Sequence, residues 1–553
     1  MFAEKNVAFI SEWPGTRAEM AKTPSQIFYD GDKVLWGSEI PADADSLQWF
    51  KLLLLKKEDM SAELFSSEYL TRGREFLSKT GKSAVDVIAD YLRLLWNHAI
   101  KTITIELGPL ILKTKVFRAV ITVPAIWKGY ARQAMSEAAQ KAGILDARLA
   151  GKTTLTFTSE PEAAALATLT EPKYEPKVGD TYIVMDAGGG TADTISYKIV
   201  GVNPIAMAEA VEGQGDLCGG FLIDKAIEDM CRDAIGNQWD ASDIAARQKV
   251  LKQDWEQGIK TQFELEGDAE YPIWLPGEMT TKKRKRSSCD LATLPQVRGH
   301  CLYLPRHLIQ KAFAHALGGI DKLVDQQIEQ TRSRGCKVTA IILVGGLGSS
   351  RYIQQQLEDA HCESGILVLK STGMRPRTAI CRGAVLKSFR SCVTSTIARA
   401  SLGVDSLDTF IKGKHLVEDK YWCEKELEHK ANNQMKWFLK RGDDVSQKRP
   451  VKRSFYTLYT KSEFSGTYAV EILASEEPKP PSRKTADVKT MCTIKCTLDV
   501  DFHDLDTETN SQGEIFGVLK TEIAMVPVGA SMEFTVSVNG RVQGEAGVAV
   551  NFQ

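Results

Sequence analysis

The strongest constraint on this chain is an eight-residue segment, Asp-Ala-Gly-Gly-Gly-Thr-Ala-Asp at residues 186–193, which joins two runs of β-forming residues. Three consecutive glycines let the backbone approach a ligand closely and turn several N–H groups toward an anion. Carboxylates beside such a loop would repel a phosphate unless Mg²⁺ and its bound water lay between them. The alternative interpretation is a glycine hairpin whose aspartates serve the turn itself. The segment therefore predicts either a magnesium-assisted phosphate site or a tight hairpin.

Two further segments have the pattern of ligand sites in α/β proteins. Residues 344–351 (VGGLGSSR) lie between an apolar run and a predicted helix, where glycines permit a nucleoside to approach; a plain tight turn is the alternative. Glu160 follows a predicted strand and precedes a helix that starts with proline, so we expect its carboxylate at the strand's C-terminal end. Glu162 is interpreted as an ordinary first-turn acid that faces the helix dipole.

The hydrophobic spacing between residues 83 and 389 predicts alternating strands and helices, which is typical of an α/β architecture. The first 80 residues are predicted to be rich in loops, with short extended pieces. Helices are expected at residues 83–100, 127–142, 162–168, 221–235, 245–263, 305–334, 352–360 and 377–389. Strands are expected at residues 116–123, 153–158, 182–186, 194–200 and 340–344.

After about residue 395 the pattern changes to the two-residue alternation of half-buried strands. Residues 492–502 and 532–538 alternate apolar and polar side chains, and the Asn-Gly pair at residues 539–540 indicates a tight hairpin into residues 542–552. The polar stretch 475–484 (SEEPKPPSRK) is expected to form a long exposed loop. The C-terminal part is therefore predicted to be a small antiparallel β domain.

The overall composition argues against several functional classes. The 553 residues contain 70 Lys and Arg against 71 Asp and Glu, so no charge excess indicates a general binder of nucleic acid or membrane surfaces. No apolar run reaches the 18 or more residues of a membrane span, and the first residues lack the pattern of a secretory signal. Eleven cysteines without a Cys-x-x-Cys pair favour a reducing compartment, so we expect a cytoplasmic protein. The basic run at residues 282–286 indicates either nuclear import or a solvated loop.

Five segments in a fixed order resemble one protein family, the heat-shock 70-kDa chaperones, in their actin-like ATPase domain. They are AVITVPA at 119–125, SEPEAAA at 159–165, DAGGGTAD at 186–193, GDLCGGFLID at 215–224 and LVGGLGSSRYI at 343–353. The resemblance is closest to the divergent heat-shock 70-kDa protein 12-like branch, which is common in fungi. The segments typical of that branch are SEWPG at 11–15, VLWG at 34–37 and RPRTAICRGA at 375–384.

The resemblance implies an α/β fold with two domains. Residues 1–395 would form a two-lobed actin-like ATPase (ribonuclease H-like) domain, incomplete at its N-terminus. Lobe I would comprise about residues 1–178 and 347–395, and lobe II about residues 179–346. Residues 396–553 would form the small C-terminal antiparallel β domain.

The resemblance also implies roles for individual residues. Glu160 matches the glutamate that helps to place the attacking water. Lys51, in WFKLLL, matches the catalytic lysine that contacts the γ-phosphate, and the alternative is a surface lysine beside a run of leucines. Positions on the phosphate side, with both aspartates near Mg²⁺ through water, are Asp186, Gly188, Gly189, Gly190, Thr191, Asp193, Gly219 and Gly220. Positions on the adenosine side are Glu256, Lys260, Gly345, Gly346 and Ser349.

One family feature has no counterpart in this sequence. Family members open with a hairpin that carries an Asp-Phe-Gly-Thr-Thr-like first phosphate loop, and no such motif occurs here. Removal of one preorganised donor costs roughly 10²–10³ in rate, so we expect ATP hydrolysis to be impaired. Two missing strands would also leave a sheet edge unpaired. The motif would be absent both from a chain that lacks its natural beginning and from a true pseudo-ATPase, so the sequence does not distinguish the two.

The expected function is binding of ATP or ADP with Mg²⁺, coupled to a chaperone-type conformational change. By resemblance, the partners would be nucleotides, client polypeptides and co-chaperones, with no nucleic acid and no membrane. One alternative is a non-catalytic pseudo-ATPase that serves as a scaffold, which the absent first loop favours. Another is a sugar-kinase-like phosphotransferase, although the sequence shows no obvious sugar-binding aspartate motif. A filament-forming actin relative fits the β-rich tail poorly.

Overall fold

A computed structural model describes most of the chain. The described residues are 7–16, 18–41, 43–60, 62–171, 173–264, 266, 270–279, 295–371, 375–389, 393–446, 451–528 and 531–548. The basic run at residues 282–286, predicted as an import signal or a solvated loop, lies outside them. The chain divides into two compact units, Met1–Cys392 and Val393–Gln553, which we call the first and the second unit.

The first unit is a mixed α/β structure, as predicted. Across the described residues no helix combines the length and apolar character needed to cross a lipid bilayer. The helices are α1 (Ala62–Phe65), α2 (Glu68–Thr80), α3 (Ala84–Leu107), α4 (Pro109–Lys113), α5 (Gly129–Lys141), α6 (Glu160–Leu169), α7 (Gly220–Ile235), α8 (Asn237–Ala241), α9 (Ile244–Lys249), α10 (Lys260–Gln262), α11 (Arg306–Ser333), α12 (Arg351–His361) and α13 (Arg375–Phe389). The strands are β1 (Gln26–Asp30), β2 (Lys33–Trp36), β3 (Leu47–Gln48), β4 (Arg118–Val123), β5 (Ala147–Arg148), β6 (Gly151–Lys152), β7 (Thr154–Ser159), β8 (Thr181–Ala187), β9 (Ala192–Val202), β10 (Ile205–Asp216), β11 (Glu270–Trp274), β12 (Gln296–Arg298), β13 (Cys301–Pro305), β14 (Val338–Val344) and β15 (Leu367–Leu369).

The strands that carry the glycine segments lie side by side in the order β15-β14-β8-β9-β10. Strand β14 runs parallel to β15 and β8, whereas β8, β9 and β10 form an antiparallel meander. Every side chain of β8 is buried, and β14 is buried except at one half-buried position. Burial on both faces explains the continuous apolar runs that these strands show in the sequence. Their inner side chains, including Met185 and Ile341, share one core with Trp255 and Phe313.

Helix α3 belongs to a second apolar core, with Trp36, Val87 and Trp127. Ser83 caps this helix: its Oγ accepts a hydrogen bond from the Asp86 N–H (3.1 Å), and the Asp86 carboxylate accepts one from the Ser83 N–H (2.9 Å). This reciprocal pair fixes the helix start. The predicted amphipathic helix is confirmed, and it continues seven residues further than expected, to Leu107.

Two predictions for the first unit are wrong in detail. The first 80 residues contain the thirteen-residue helix α2, which was not predicted, because their short apolar stretches pack on α3 and its core. The short extended pieces expected there are present as the three-stranded sheet β2-β1-β3. The helix expected over residues 245–263 is broken into α9, a π-helix at Val250–Ile259 and α10. A π-helix of this length is rare, and π-turns are frequent beside functional sites.

Helices α6 and α13 pack against each other so closely that only a glycine fits at their crossing. A Cβ atom at Gly383 would lie 1.7 Å from the carbonyl oxygen of Ala163. Buried ion pairs also hold α13 in place: Glu162 of α6 binds Lys387 Nζ (2.5 Å), and Glu171, two residues beyond the end of α6, binds Arg382 (3.3 Å). Because α13 covers the start of α6, Glu162 is fully buried and also accepts a hydrogen bond from Thr158 Oγ1. Glu162 does lie in the first turn of α6, as predicted, but it is a buried ion-pair partner and not an ordinary first-turn acid.

The second unit is built of antiparallel strands, as predicted. One sheet has the strand order β18-β19-β17-β22-β23, and the other has the order β21-β25-β26-β27. Strand β24 pairs with β25 of the second sheet. Strands β16 and β20 form a further antiparallel pair. Side chains of both sheets, such as Ile494 and Phe534, share one apolar core. The strands are β16 (Val393–Ile397), β17 (Ser401–Thr409), β18 (Lys420–Cys423), β19 (Glu428–Leu439), β20 (Asp444–Ser446), β21 (Val451–Tyr459), β22 (Thr467–Ser475), β23 (Lys489–Thr497), β24 (Asp506–Thr509), β25 (Ile515–Val528), β26 (Ser531–Val538) and β27 (Arg541–Val548).

The turns of this unit test two sequence predictions. The Asn539-Gly540 hairpin is confirmed, since both residues have the positive φ (50° and 77°) that a two-residue turn of this kind requires. The polar stretch 475–484 is not exposed throughout. Its end lies along β19, where the Lys484 N–H donates to the Asn433 carbonyl (2.8 Å) and Arg483 binds the buried carboxylate of Asp419 (2.7 Å). A buried carboxylate requires a partner, and this loop supplies it.

The α6–α13 crossing generates a stability prediction. Gly383→Ala should lower the free energy of unfolding by about 1–3 kcal/mol, the usual cost of overpacking, because the new methyl group meets the Ala163 backbone. The matched control is Gly318→Ala in α11, where a Cβ meets nothing within 4 Å. That change should stabilise the helix by up to about 1 kcal/mol. Urea unfolding of the two variants measures both effects, and equal shifts would contradict the described crossing.

Candidate functional site

Two carboxylates face each other where the β8–β9 hairpin reaches its glycine turn. The strand register pairs Asp186 with Asp193, and both side chains are buried, at 5% and 1% exposure. Thr191 Oγ1 donates a hydrogen bond to Asp193 Oδ2 (3.3 Å). In the described part of the chain, the buried Asp193 Oδ1 has no hydrogen-bond partner. The sequence octet thus forms a hairpin that carries a pair of buried carboxylates, of which Asp193 is incompletely satisfied.

Burial makes these carboxylates hard to ionise. It raises the pKa of Asp186 to about 7, with a further contribution from the negative charge of Glu160. It raises the pKa of Asp193 to about 8, and there both Glu160 and Asp186 add to the effect. The positive charges of Lys22 and Lys51 lower the pKa of Asp186, and Lys51 also lowers that of Asp193, but they do not compensate for burial. The site is therefore short of positive charge.

Lys51 and Glu160 meet at this site although 109 residues separate them in the chain. Lys51 lies in the 3₁₀ helix Phe50–Leu54, and Glu160 is the first residue of α6, directly after β7. The Lys51 Nζ donates to Glu160 Oε1 at 2.7 Å and lies 5.2 Å from the centroid of the Trp127 ring. The structure thus places Lys51 beside the acidic residues, not on an unrelated surface.

The first glycine loop, residues 188–191, is held from behind by the start of α7. The carbonyl oxygens of Gly188, Gly189 and Gly190 accept hydrogen bonds from three successive N–H groups, those of Gly220 (3.1 Å), Phe221 (2.8 Å) and Gly219 (3.3 Å) respectively. Among the described residues, no acceptor lies against the N–H groups of Gly189, Gly190 and Thr191. The loop is therefore fixed through its carbonyls, while its amides have no acceptor among the described residues and could donate to an anion.

The second glycine loop, residues 345–350, lies against the first. Strand β14 runs parallel to β8 and pairs Val344 with Asp186. Gly345 has φ +91°, and a Cβ there would lie 2.3 Å from the Ala187 carbonyl oxygen and 2.4 Å from Asp186 Oδ1. Only glycine fits such an approach. The two loops therefore follow adjacent parallel strands at one sheet edge, the place where ligands bind in open α/β sheets.

Ser349 and Gly346 turn toward each other within the second loop, where Ser349 Oγ donates to the Gly346 carbonyl (2.6 Å). Lys370 holds the same loop from outside, because its Nζ donates to the Ser349 carbonyl (2.8 Å). Burial and the nearby charge of Arg351 lower the pKa of Lys370 to about 8. The loop is thus fixed by a lysine that no sequence motif pointed to.

The two residues assigned to the adenosine side from the π-helix segment behave differently from each other. Glu256 is exposed on the π-helix, whereas Lys260 is buried. The Lys260 Nζ donates to both carboxylate oxygens of Asp224 (2.7 and 2.8 Å) and to the Gly220 carbonyl (3.0 Å). Trp255 Nε1 donates to the same carboxylate (2.8 Å). Lys260 is therefore tied to the first turns of α7 and supports the phosphate-side turn.

The residues present fit a hydrated divalent cation. Asp193 Oδ1 has no partner among the described residues, and burial raises the pKa of Asp186 and Asp193 by more than the nearby lysines lower it, so a further positive charge would stabilise both carboxylates. The described residues contain no group of three or more His, Cys, Asp or Glu arranged to hold a metal ion directly. Mg²⁺ keeps several waters and often binds through one or two carboxylates, so a two-carboxylate site matches its chemistry.

Sequence reasoning missed several residues that shape this site. Asp224 closes the family-like segment at 215–224, so that motif could have identified it. Trp49, which lies against Gly190, begins the WFKLLL segment, in which the resemblance assigns a role only to Lys51, and Lys370 belongs to a segment without a motif. They become visible only when the fold brings distant segments together.

The fold and the paired glycine loops define an actin-like ATPase domain. The chain belongs to the Hsp70 protein family, whose model matches residues 106–389, half of the chain. This match confirms the family that the ordered motifs predicted. Residues 396–539 match a second family, a domain of unknown function (DUF8568).

Similar curated proteins include both divergent and ordinary members of the family. The chain is 24% identical to heat shock 70 kDa protein 12B of Homo sapiens over 446 residues, which cover 66% of this chain and 63% of the relative. Its identity to human heat shock 70 kDa protein 12A is 23%, over 68% of this chain and 65% of the relative. Its identity to the chaperone protein dnaK1 of Nostoc sp. is 26%, over 54% and 40%. The chain thus spans less than two thirds of the length of these relatives.

The carboxylate pair generates a prediction for the pH dependence of stability in the absence of Mg²⁺. Between about pH 4 and about pH 8, folded Asp186 and Asp193 retain protons that the unfolded chain has already lost. The free energy of unfolding therefore falls as the pH rises from about 4 toward 8, because only the folded state holds these protons. Urea unfolding at several pH values should show a shallower decline for Asp193→Asn than for the wild type. The control is Asp233→Asn at an exposed position, which should keep the pH dependence of the wild type. If Asp193→Asn also kept the pH dependence of the wild type, the raised pKa assigned to Asp193 would be contradicted.

Proposed function

We propose that the first unit binds ATP or ADP together with Mg²⁺ between its two glycine loops. The observation that carries this proposal is the contact of Gly345 with Asp186 and Ala187, which joins the loops at the carboxylate pair. The amides of the first loop, which have no acceptor in the part of the chain that the structure describes, suit phosphate oxygens, and the carboxylates suit a hydrated cation. Membership in the Hsp70 family favours a nucleotide over the sugar-kinase alternative.

Each group at the site has a role in this proposal. The N–H groups of residues 189–191 bind phosphate oxygens, and Asp186 and Asp193 hold the hydrated cation. When bound, Mg²⁺ neutralises phosphate charge. An entering phosphate competes with Glu160 for the ammonium of Lys51. Release of Glu160 from this ion pair leaves its carboxylate able to orient a water molecule for in-line attack.

Nucleotide binding would be coupled to a conformational change of the chaperone type. The similar proteins carry the names heat shock protein and chaperone protein, and this chain covers only part of their length. Client polypeptides and co-chaperones are therefore proposed partners. A scaffold that binds nucleotide without turnover remains the second candidate. It is favoured by the Lys51–Glu160 ion pair, which occupies both groups that hydrolysis would need.

Calorimetric titration with Mg·ATP and Mg·ADP tests the proposed site. Asp186→Asn should weaken binding at least about tenfold, because it removes a charged contact to the hydrated cation. The exposed Asp233→Asn should bind as the wild type does. Absence of binding to the folded wild type, or equal binding by Asp186→Asn, would overturn the proposal. Release of inorganic phosphate in the same samples separates an ATPase from a non-catalytic binder.

A further inference from the structure

An aromatic ring covers one end of the first glycine loop. A Cβ atom at Gly190 would lie 2.1 Å from Trp49 Cζ3 and 2.8 Å from its Cη2, and a Cβ at Gly189 would lie 3.6 Å from Cη2. The edge of the Trp49 ring thus lies directly against Gly190 and near Gly189. These are two of the residues whose N–H groups have no acceptor among the described residues.

Trp49 is held in this position from two sides. Its ring makes an edge contact with Phe221, at the start of α7, with ring centroids 5.7 Å apart. On the other side it meets Tyr69 of α2 at 6.2 Å. The ring therefore links the segment that carries Lys51 to the helix that supports the glycine loop. Each aromatic pair adds a modest stabilisation that must be given up if the ring moves.

The backbone of Trp49 is strained. Its φ of 60° and ψ of 12° lie in the left-handed region, which a bulky aromatic residue rarely adopts. Residues in such conformations persist only where their surroundings determine them, and they are concentrated at ligand clamps and switch regions. Release of the ring would also relieve this strain, so the contact is suited to open when a ligand competes for the loop.

The ring covers only the far end of the site. The second glycine loop packs on Ala187, which immediately precedes the first loop, and no Trp49 atom lies within 4 Å of a Cβ built at Gly188. A phosphate chain that extended from the second loop along the first, in the order of its residues, would pass Gly188 before it reached Gly190, which the ring covers. The last phosphate of a longer chain therefore meets the ring.

We propose that Trp49 is a specificity-determining residue, which makes the site favour a nucleoside diphosphate over a triphosphate because its ring must leave Gly190 before a third phosphate enters. This inference rests on the proposed function and extends it. The affinity for ADP is set by the uncovered part of the site. The affinity for ATP is reduced by the free energy needed to displace the ring from Gly190, Phe221 and Tyr69.

Calorimetric titration of the full chain with Mg·ADP and Mg·ATP tests the inference. The wild type should bind Mg·ADP more tightly than Mg·ATP. Trp49→Ala should tighten Mg·ATP binding relative to Mg·ADP by about tenfold, since the aromatic contacts no longer have to open. Trp49→Phe, which keeps a smaller ring, should give an intermediate ratio. Trp274→Ala, which removes an exposed indole from β11, is the matched control and should keep the wild-type ratio.

The outcomes separate this inference from the proposed function. Binding of both nucleotides by the wild type and by Trp49→Ala, with the same affinity ratio, overturns the role of Trp49 and leaves the proposed function intact. Absence of binding of either nucleotide to folded wild type overturns both. If Trp49→Ala does not fold, the wild-type preference and the ratio measured for Trp49→Phe decide the question: equal affinity of the wild type for the two nucleotides overturns the inference.

Discussion

The site depends on one electrostatic constraint, the burial of Asp186 and Asp193 side by side with too little positive charge around them. Two carboxylates taken out of water are costly unless a cation or several donors compensate. Here Thr191 provides one donor, and Lys51 is shared with a third acid, Glu160. The raised pKa values express the remaining deficit. A bound cation would remove it, so the folded unit is prepared for a ligand that the chain itself does not supply.

The rest of the first unit fixes the groups around this pair. The carbonyl hydrogen bonds from the start of α7 hold the first glycine loop, and the Lys260–Asp224 pair supports that helix start. The α6–α13 crossing, with its buried ion pairs at Glu162 and Glu171, fixes the helix that begins with Glu160. Rigid elements therefore carry the acids, whereas the half-exposed Lys51 and the strained Trp49 lie on a short 3₁₀ segment. The fixed and the adjustable parts of the site are thus contributed by different elements.

Sequence patterns predicted those features that depend on local chemistry. The glycine octet, the helix expected from residue 83, the buried strands and the Asn539-Gly540 turn each follow from residue type and spacing, and all appear in the structure. Features that depend on tertiary packing were not predictable in this way. Glu162 has the spacing of a helix-dipole acid, and only the covering helix α13 makes it a buried ion-pair partner. Helix α2, the π-helix and the docked end of the 475–484 loop likewise arise from contacts with distant segments.

Hydrogen exchange of backbone amides, measured by mass spectrometry with and without Mg·ADP, tests the account most directly. If the two glycine loops hold the nucleotide, ligand addition should slow exchange in peptides that cover residues 188–191 and 345–350, because their N–H groups gain acceptors or become covered. Peptides from the second unit that do not contact the ligand serve as internal references. Binding that protects other segments while both loops exchange unchanged would contradict the central claim.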